Sequence, residues 1–556
     1  MCVGGGDVGV GEDGLGGQTG EQPFGEVTQG LVGCGFGTAH DHSVTPGAIG
    51  VNPARGTRGR AGVVVVSTPR FAHSDAMENE AVDQGQDATA RRRLRRRVLI
   101  ASVAGCAVLG GALALLPSGP GPGSARPPTP APGARALTAV TSGVPAALPD
   151  LAALIDRRER RVRTHPRDAV SWAVLGAAYV EQGRRTAQPA YYPKAEKALR
   201  ASLEVRSRNA GALSGMAALA NARRDFGAAL TWAEAAVKAD PKRWTAYPQL
   251  IDAHTGLGHH KAAGRALDRL LRLRSGPAVR ARAAAVYRDR GLREDAAAAL
   301  SDAAAGAAAP AERADYLERA GQLAFESGDV DVALRHFQEA VRLDPDQRAA
   351  LAGQGRALAA LGRTTEALTA YRAALARQPC PEYALELGEL YESMGLGQAA
   401  RVQYDLLRER AARAAAAGVD EELVLGRFEA DHGDAESAVE RLRAEWRRQP
   451  GIAVADALGW ALHRAGEDEE ALTFARRATD RAKGGAVRSA LYSYHLGMIE
   501  RELGREGPAR RHLQEALRIS PRFSPTLAPK AEEALRELGE PSVEDVPDFE
   551  DWSAGE

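Results

Sequence analysis

The sequence predicts an all-α fold, an α-solenoid of about ten stacked helix pairs, preceded by a disordered N-terminus and a single transmembrane helix. Three observations carry this expectation. From residue 150 onward, apolar side chains recur at i, i+3, i+4 and i+7 and are interrupted every few turns by Gly or Pro, the pattern of short amphipathic helices. Within that stretch small residues return at steps of 34, as in Ala229, Ala263 and Ala297, Ala333 and Ala367, Gly321 and Gly355, and Pro345 and Pro379. Ahead of it stands an arginine-flanked apolar run of about nineteen residues.

The chain has 556 residues and balanced charge, with 72 Lys and Arg against 72 Asp and Glu. No net field therefore draws nucleic acid or an acidic surface, and any electrostatic argument is local. Residues 1–90 are Gly-rich and polar, carry no sustained hydrophobic period and are predicted to be disordered, since they bury too little apolar surface to offset chain entropy. Gly9, Gly11 and Gly14 match a dinucleotide-binding spacing, but no strand precedes them and no helix follows. Met77 is an alternative translation start. Of the four cysteines, Cys2, Cys34, Cys106 and Cys380, only Cys380 falls among the repeats, so packing must hold the fold. Cys380 has no His or other base nearby in sequence to activate it.

Residues 91–116 read as a membrane anchor. Six arginines between Arg91 and Arg97 precede the uncharged run Val98 to Leu116, and the next basic residues are Arg126 and Arg135. The positive-inside bias then leaves the N-terminus in the cytoplasm and everything after Leu116 outside, a single-pass protein of the cell membrane. Two alternatives stay open. Val103-Ala104-Gly105-Cys106 resembles a lipobox, which would lipidate Cys106, and Ala112-Leu113-Ala114 offers a cleavage site. Residues 117–149 are dense in Pro, Gly and Ala and predict an extended linker, while the tail, residues 540–556, is acidic and predicted to be disordered.

The repeats occupy residues 150–539, with a leading helix over Leu151 to Val162 and a closing helix over Pro525 to Leu538. First helices are expected to open near Ala169, Ala210, Trp244, Ala278, Ala314, Arg348, Pro381, Val419, Ile452 and Ala490. In each pair a small residue, such as Gly321 or Ala333, lets the two helices approach, and a large one, such as Leu317 or Phe337, fills the flanking space. Trp172, Leu175, Gly176 and Tyr179, and again Leu317, Gly321, Ala333, Phe337, Ala340 and Pro345, carry the signature of the tetratricopeptide repeat (TPR). The chain resembles bacterial, and specifically actinobacterial, membrane-anchored TPR proteins. That resemblance implies a right-handed α-solenoid whose concave face binds a protein or peptide and which performs no chemistry.

On that resemblance the exposed positions of the first helices are the candidate partner-binding residues: Glu318, Gln322, Glu382, Glu389 and Glu392 in the middle, then Trp460, His463, Tyr494, Met498 and Arg501. Acids followed by aromatics suit a peptide with basic and apolar side chains, although Trp460 and Tyr494 also read as packing residues. A carboxylate clamp of Lys and Asn is not in place, because Ala173 and Ala177 stand there in the first unit. His254, His259 and His260 cluster, but His254 falls on an inward position, so no metal site is assigned. No phosphate loop, zinc-protease His pair or nucleophile elbow is present, and no catalytic residue or cofactor is expected. The function expected is a non-catalytic scaffold of the cell envelope, with a regulatory or substrate-binding subunit of a transporter or envelope enzyme as the alternative.

Overall fold

The computed structural model describes residues 131–377, 380–479 and 487–540. The anchor, Cys106 and the acidic tail fall outside them. The described residues belong to one compact unit and, among them, 23 α-helices and no strands occur.

Two helices lead, α1 (Pro132–Ser142) and α2 (Leu148–Thr164). Ten antiparallel pairs follow: α3 (Ala169–Thr186) with α4 (Tyr191–Val205), α5 (Ala210–Ala222) with α6 (Phe226–Ala239), and α7 (Tyr247–Gly256) with α8 (His260–Leu273). A single turn of 3-10 helix, Trp244–Ala246, opens the third pair. Next come α9 (Pro277–Asp289) with α10 (Arg293–Gly306), α11 (Pro310–Glu326) with α12 (Val330–Leu343), and α13 (Arg348–Ala360) with α14 (Thr364–Arg377). The last pairs are α15 (Pro381–Ser393) with α16 (Gly397–Ala416), α17 (Glu422–His432) with α18 (Ala435–Arg448), α19 (Ile452–Arg464) with α20 (Asp468–Thr479), and α21 (Ala490–Glu502) with α22 (Glu506–Ile519). The closing helix is α23 (Leu527–Leu538), with Ala528, Ala531 and Ala534 turned inward and Glu532, Glu533, Arg536 and Glu537 exposed.

Local chemistry sets these boundaries. Asp168, Asn209, Asp225, Asp434 and Ser489 cap helix N-termini by accepting a backbone N–H from the first turn. Pro277, Pro310 and Pro381 sit at N1, where the missing N–H costs nothing. Between the two helices of most pairs a glycine takes a left-handed backbone, as at Gly258, Gly291, Gly328, Gly362, Gly395, Gly466 and Gly504. Inside a pair, rings pack onto missing side chains: a Cβ on Gly321 or Gly353 would come within 2.7 Å and 2.5 Å of the Phe337 ring. Phe337 is thus clamped between α11 and α13, and Tyr371 and Tyr404 lie likewise on Gly355 and Gly388.

One expectation fails. Pro132–Ser142 is helical where composition predicts an extended linker. Pro132 stands at the tolerated first position, Ala136 is buried, Arg135 pairs with Asp150 at 2.8 Å, and Gly143 closes the helix with φ 67°. The burial of this amphipathic face on α2 and α3 outweighs the Pro and Gly content that pointed to a spacer.

Candidate functional site

The arrangement of first helices makes the site. Contacts join residues roughly four to six repeats apart, so one turn of the coil touches the next. Arg185 pairs with Asp344 at 2.6 Å, both buried, and Arg348 donates to the Arg185 carbonyl. Arg224 engages both Glu421 and Glu382, the Asp420 N–H donates to the Arg223 carbonyl at 2.9 Å, and the Phe226 N–H donates to Gln449 Oε1 at 2.8 Å. Further on, Arg293 donates to the Arg488 carbonyl and Arg522 to the Ala360 carbonyl.

This winding turns the concave face into the wall of a cavity of about 1450 Å³. Its lining includes apolar residues of the leading segment and first pair, Val140, Val144, Pro145, Val170, Val174 and Val180, and, from the last repeats, Trp460, His495 and the α22–α23 loop around Pro521 and Phe523. The whole lining carries eleven arginines and eleven carboxylates, a balance that leaves no net charge to attract a polyanion. Most are paired: Arg282 with Asp252, Arg288 with Glu326 at 2.6 Å, Arg319 with Asp315 at 2.9 Å, and Arg356 with Glu386 at 2.6 Å.

Residues 282–348, 318–379 and 352–418 match the tetratricopeptide repeat family model. Residues 282–418 thus carry tetratricopeptide repeats. No curated protein matches it. Among solved structures, the human IFIT1 dimer with PPP-AAAA is 17% identical, with 59% of this chain and 77% of that one covered at a TM-score of 0.40. A TPR protein from Parabacteroides merdae is 16% identical, covering 47% and 98% at a TM-score of 0.29. YrrB, described as a TPR protein with an unusual peptide-binding site, is 19% identical, covering 33% and 92% at a TM-score of 0.23. Overlaps this loose add nothing to the functional reading.

The expected partner-binding residues scatter over the coil. Gln322, Glu382, Glu389 and Trp460 line the cavity. Gln322 donates to Glu326 and accepts from Arg356, and Glu382 is taken by Arg224. Glu389 and Glu392 flank His432 at 3.8 Å and 3.4 Å; against the cost of burial they hold its pKa above the usual histidine range. Glu318 is half-buried, and desolvation followed by the Asp315 charge pushes its carboxyl up to about 7. Trp460 is 5% exposed and donates to Asp431 at 3.0 Å. Tyr494, expected on the exposed face, is 1% exposed among Trp460, His495 and Phe523, and its burial corrects that reading. His463 bonds Asp468, Met498 packs on the last core cluster, and Arg501 pairs with Glu537, so these three stand outside the cavity wall.

Cys380 is wholly buried at the N-cap of α15 and engaged there, so it is no exposed nucleophile. Among the described residues no three His, Cys, Asp or Glu side chains are placed to hold a metal ion, and burial lowers the His254 pKa to about 4. Two features escaped the sequence reading. One is Arg224, whose φ of 58° occupies the turn position that glycine fills in most other pairs; the absent glycine between Arg223 and Asp225 was the visible signal. The other is the buried couple of Asp456 and His495, which has no sequence signal because the two sit on different helices.

Proposed function

We propose that this chain is a membrane-tethered, non-catalytic scaffold of the bacterial cell envelope that takes an extended segment of a partner protein into the cavity of its TPR coil. The observation that carries the reading is the cavity wall itself, built from the first helices of all ten repeat pairs and balanced in charge. An elongated ligand meets such a wall along its length, and alternating charges read side chains in a register that a globular surface cannot supply. The neutral balance favours a polypeptide over a nucleic acid, whose phosphates need a basic surface.

Val98 to Leu116 is the tether in this reading, with the N-terminus in the cytoplasm and the repeats outside. Among the described residues no helix is long and apolar enough to cross a membrane, and that segment lies beyond them. Crosslinking in intact cells followed by mass spectrometry tests the proposal. Several envelope proteins linked through cavity residues support the scaffold; one stoichiometric transporter or enzyme turns the reading to a regulatory subunit. A periplasmic-type reporter fused after Glu556 that stays inactive would overturn the topology.

A further inference from the structure

We infer that the seam between the second pair and the seventh and eighth is a pH-dependent closure of the cavity wall, held shut by protons taken up among crowded carboxylates and loosened as the pH rises. One side of it is the α5–α6 turn, which presents the Arg223 carbonyl, the Arg224 guanidinium and the Phe226 N–H. The other side is Glu382 on α15, Asp420 and Glu421 ahead of α17, and Glu445, Arg448 and Gln449 at the end of α18. Ala414 and Val419, from the end of α16 and the link after it, join the apolar cluster of the first two pairs, which sets this link against the other turn of the coil. Arg224, Phe226, Glu382, Asp420, Glu445 and Gln449 also line the cavity, so a seam that parts here opens the wall sideways.

Two cations face four carboxylates. Arg224 engages both Glu382 and Glu421 and donates to the Asp420 carbonyl at 3.2 Å, while Arg448 engages both Asp420 and Glu445. Gln449 Nε2 joins the second group, donating to Asp420 at 3.2 Å and to Glu445 at 2.8 Å, so these two carboxylates stand side by side on shared donors. The surrounding charges cancel among themselves: Arg223 and Arg200 with Glu196 on α4, Arg184 with Glu181 on α3, and Arg441 with Glu422 and Glu429. Asp225 is exposed and caps α6, Cys380 Sγ lies 2.7 Å from Glu382 without adding a cation, and the Tyr192 hydroxyl, whose pKa burial pushes up, stays neutral. The α17 N-terminus, where Asp420 accepts the Glu422 N–H at 3.0 Å, adds only a partial positive charge. An excess of carboxylate held away from water is relieved by taking up protons.

Glu421 and Glu445 are where those protons go. They are 5% and 4% exposed, and Glu445 stands in the last turn of α18, where the helix end is itself negative. Desolvation, opposed by Arg224 and reinforced by Glu382, pushes the Glu421 carboxyl up to about 7; desolvation and then the Asp420 charge raise that of Glu445. When the seam parts, both return to water and to the ordinary carboxylate range, so the closed form keeps protons that the open form releases above about pH 4.5. Closure is therefore favoured in full below that pH and is lost as the pH rises to about 7. Protonation of Glu421 does not free Arg224, which keeps Glu382 and the Asp420 carbonyl. The response does not depend on what the cavity holds, so it is tested without a ligand.

Two backbone amides bridge the seam and report on it directly: Asp420 N–H on the Arg223 carbonyl at 2.9 Å and Phe226 N–H on Gln449 Oε1 at 2.8 Å. Hydrogen–deuterium exchange on the full-length chain in detergent micelles, resolved to single amides and corrected for the intrinsic rate at each pH, measures their protection. From about pH 5.5 to about pH 8.5 the protection of both should fall roughly ten- to a hundredfold, while amides in α11 and α12 hold theirs. Glu421→Gln combined with Glu445→Gln should keep both amides protected across the range. Protection that is flat in the unaltered chain, that increases with pH, or that falls equally in the double variant overturns the inference. Should the double variant not fold, salt decides on the unaltered chain. At about pH 8.5, sodium chloride at about 0.5 M screens like-charge repulsion and should restore part of the protection. No change, or further loss, would mean that net attraction holds the seam and would overturn the closure.

Discussion

Arg224 holds a left-handed backbone that costs a residue with a Cβ about 1–2 kcal/mol, a cost that Gly258, Gly291 and Gly328 avoid at the same turn. What it gains is reach, since its guanidinium bridges Glu382 and the buried Glu421 on the next turn of the coil. Arg224→Gly relieves the backbone but leaves Glu421 buried without its partner, a loss of about 3–5 kcal/mol. The melting temperature should therefore fall, and adding Glu421→Gln should recover part of it. Asp289 supplies the opposite sign. It is 3% exposed with one oxygen unpaired, and desolvation pushes its pKa up to about 7. A raised acid pKa means the folded state holds a proton that the unfolded state releases above about pH 4, so stability declines between about pH 4 and 7. Asp289→Asn should raise the melting temperature at pH 7.5 and change it much less at pH 4. Asp289 is not conspicuous in sequence, because an isolated Asp at a helix end reads as solvated until its neighbours are packed around it.

At the scale of the element, the repeat is legible because each pair solves its own packing locally. Glycines and alanines recur at fixed steps where helices touch, and N-terminal Pro, Asp, Asn and Ser mark where they begin, so the observed starts at Ala169, Ala210, Arg348, Pro381, Ile452 and Ala490 coincide with the sequence-derived ones. Helix α1 was hidden by composition: Pro132 and Gly143 delimit it, yet inside a Pro- and Gly-rich stretch they look like more spacer. Phe337 is the best test of local packing. Its ring fills the space opened by Gly321 on one side and Gly353 on the other, so Phe337→Ala removes contacts within the fifth pair and to the sixth. A loss of about 3–5 kcal/mol is expected in urea denaturation, and a change near zero would mean the two helices close onto each other without the ring. The site was less legible than the elements. Tyr494 and Trp460 both join the same buried cluster, and Trp460 alone of the two also reaches the cavity, a difference that the hydrophobic period does not encode.

For the whole molecule, the distance of about four to six repeats between touching residues has no counterpart in the 34-residue period. Arg185 and Asp344 lie 159 residues apart, and no pattern along the chain announces that they meet. Reversing one of them, as in Arg185→Glu, should raise the radius of gyration measured by small-angle X-ray scattering; the exchange Arg185→Asp with Asp344→Arg should restore it. An unchanged radius in the single variant would show that the remaining contacts suffice to keep the turns together. Touching turns have a further consequence. In an open solenoid each unit's stability depends only on its neighbours, and the ends fray first. Here the first pair is tied to the fifth and sixth, and the second to the seventh and eighth. Amide protons in these distant pairs should therefore exchange with deuterium in concert, as one cooperative block, with no gradient of protection running inward from the ends.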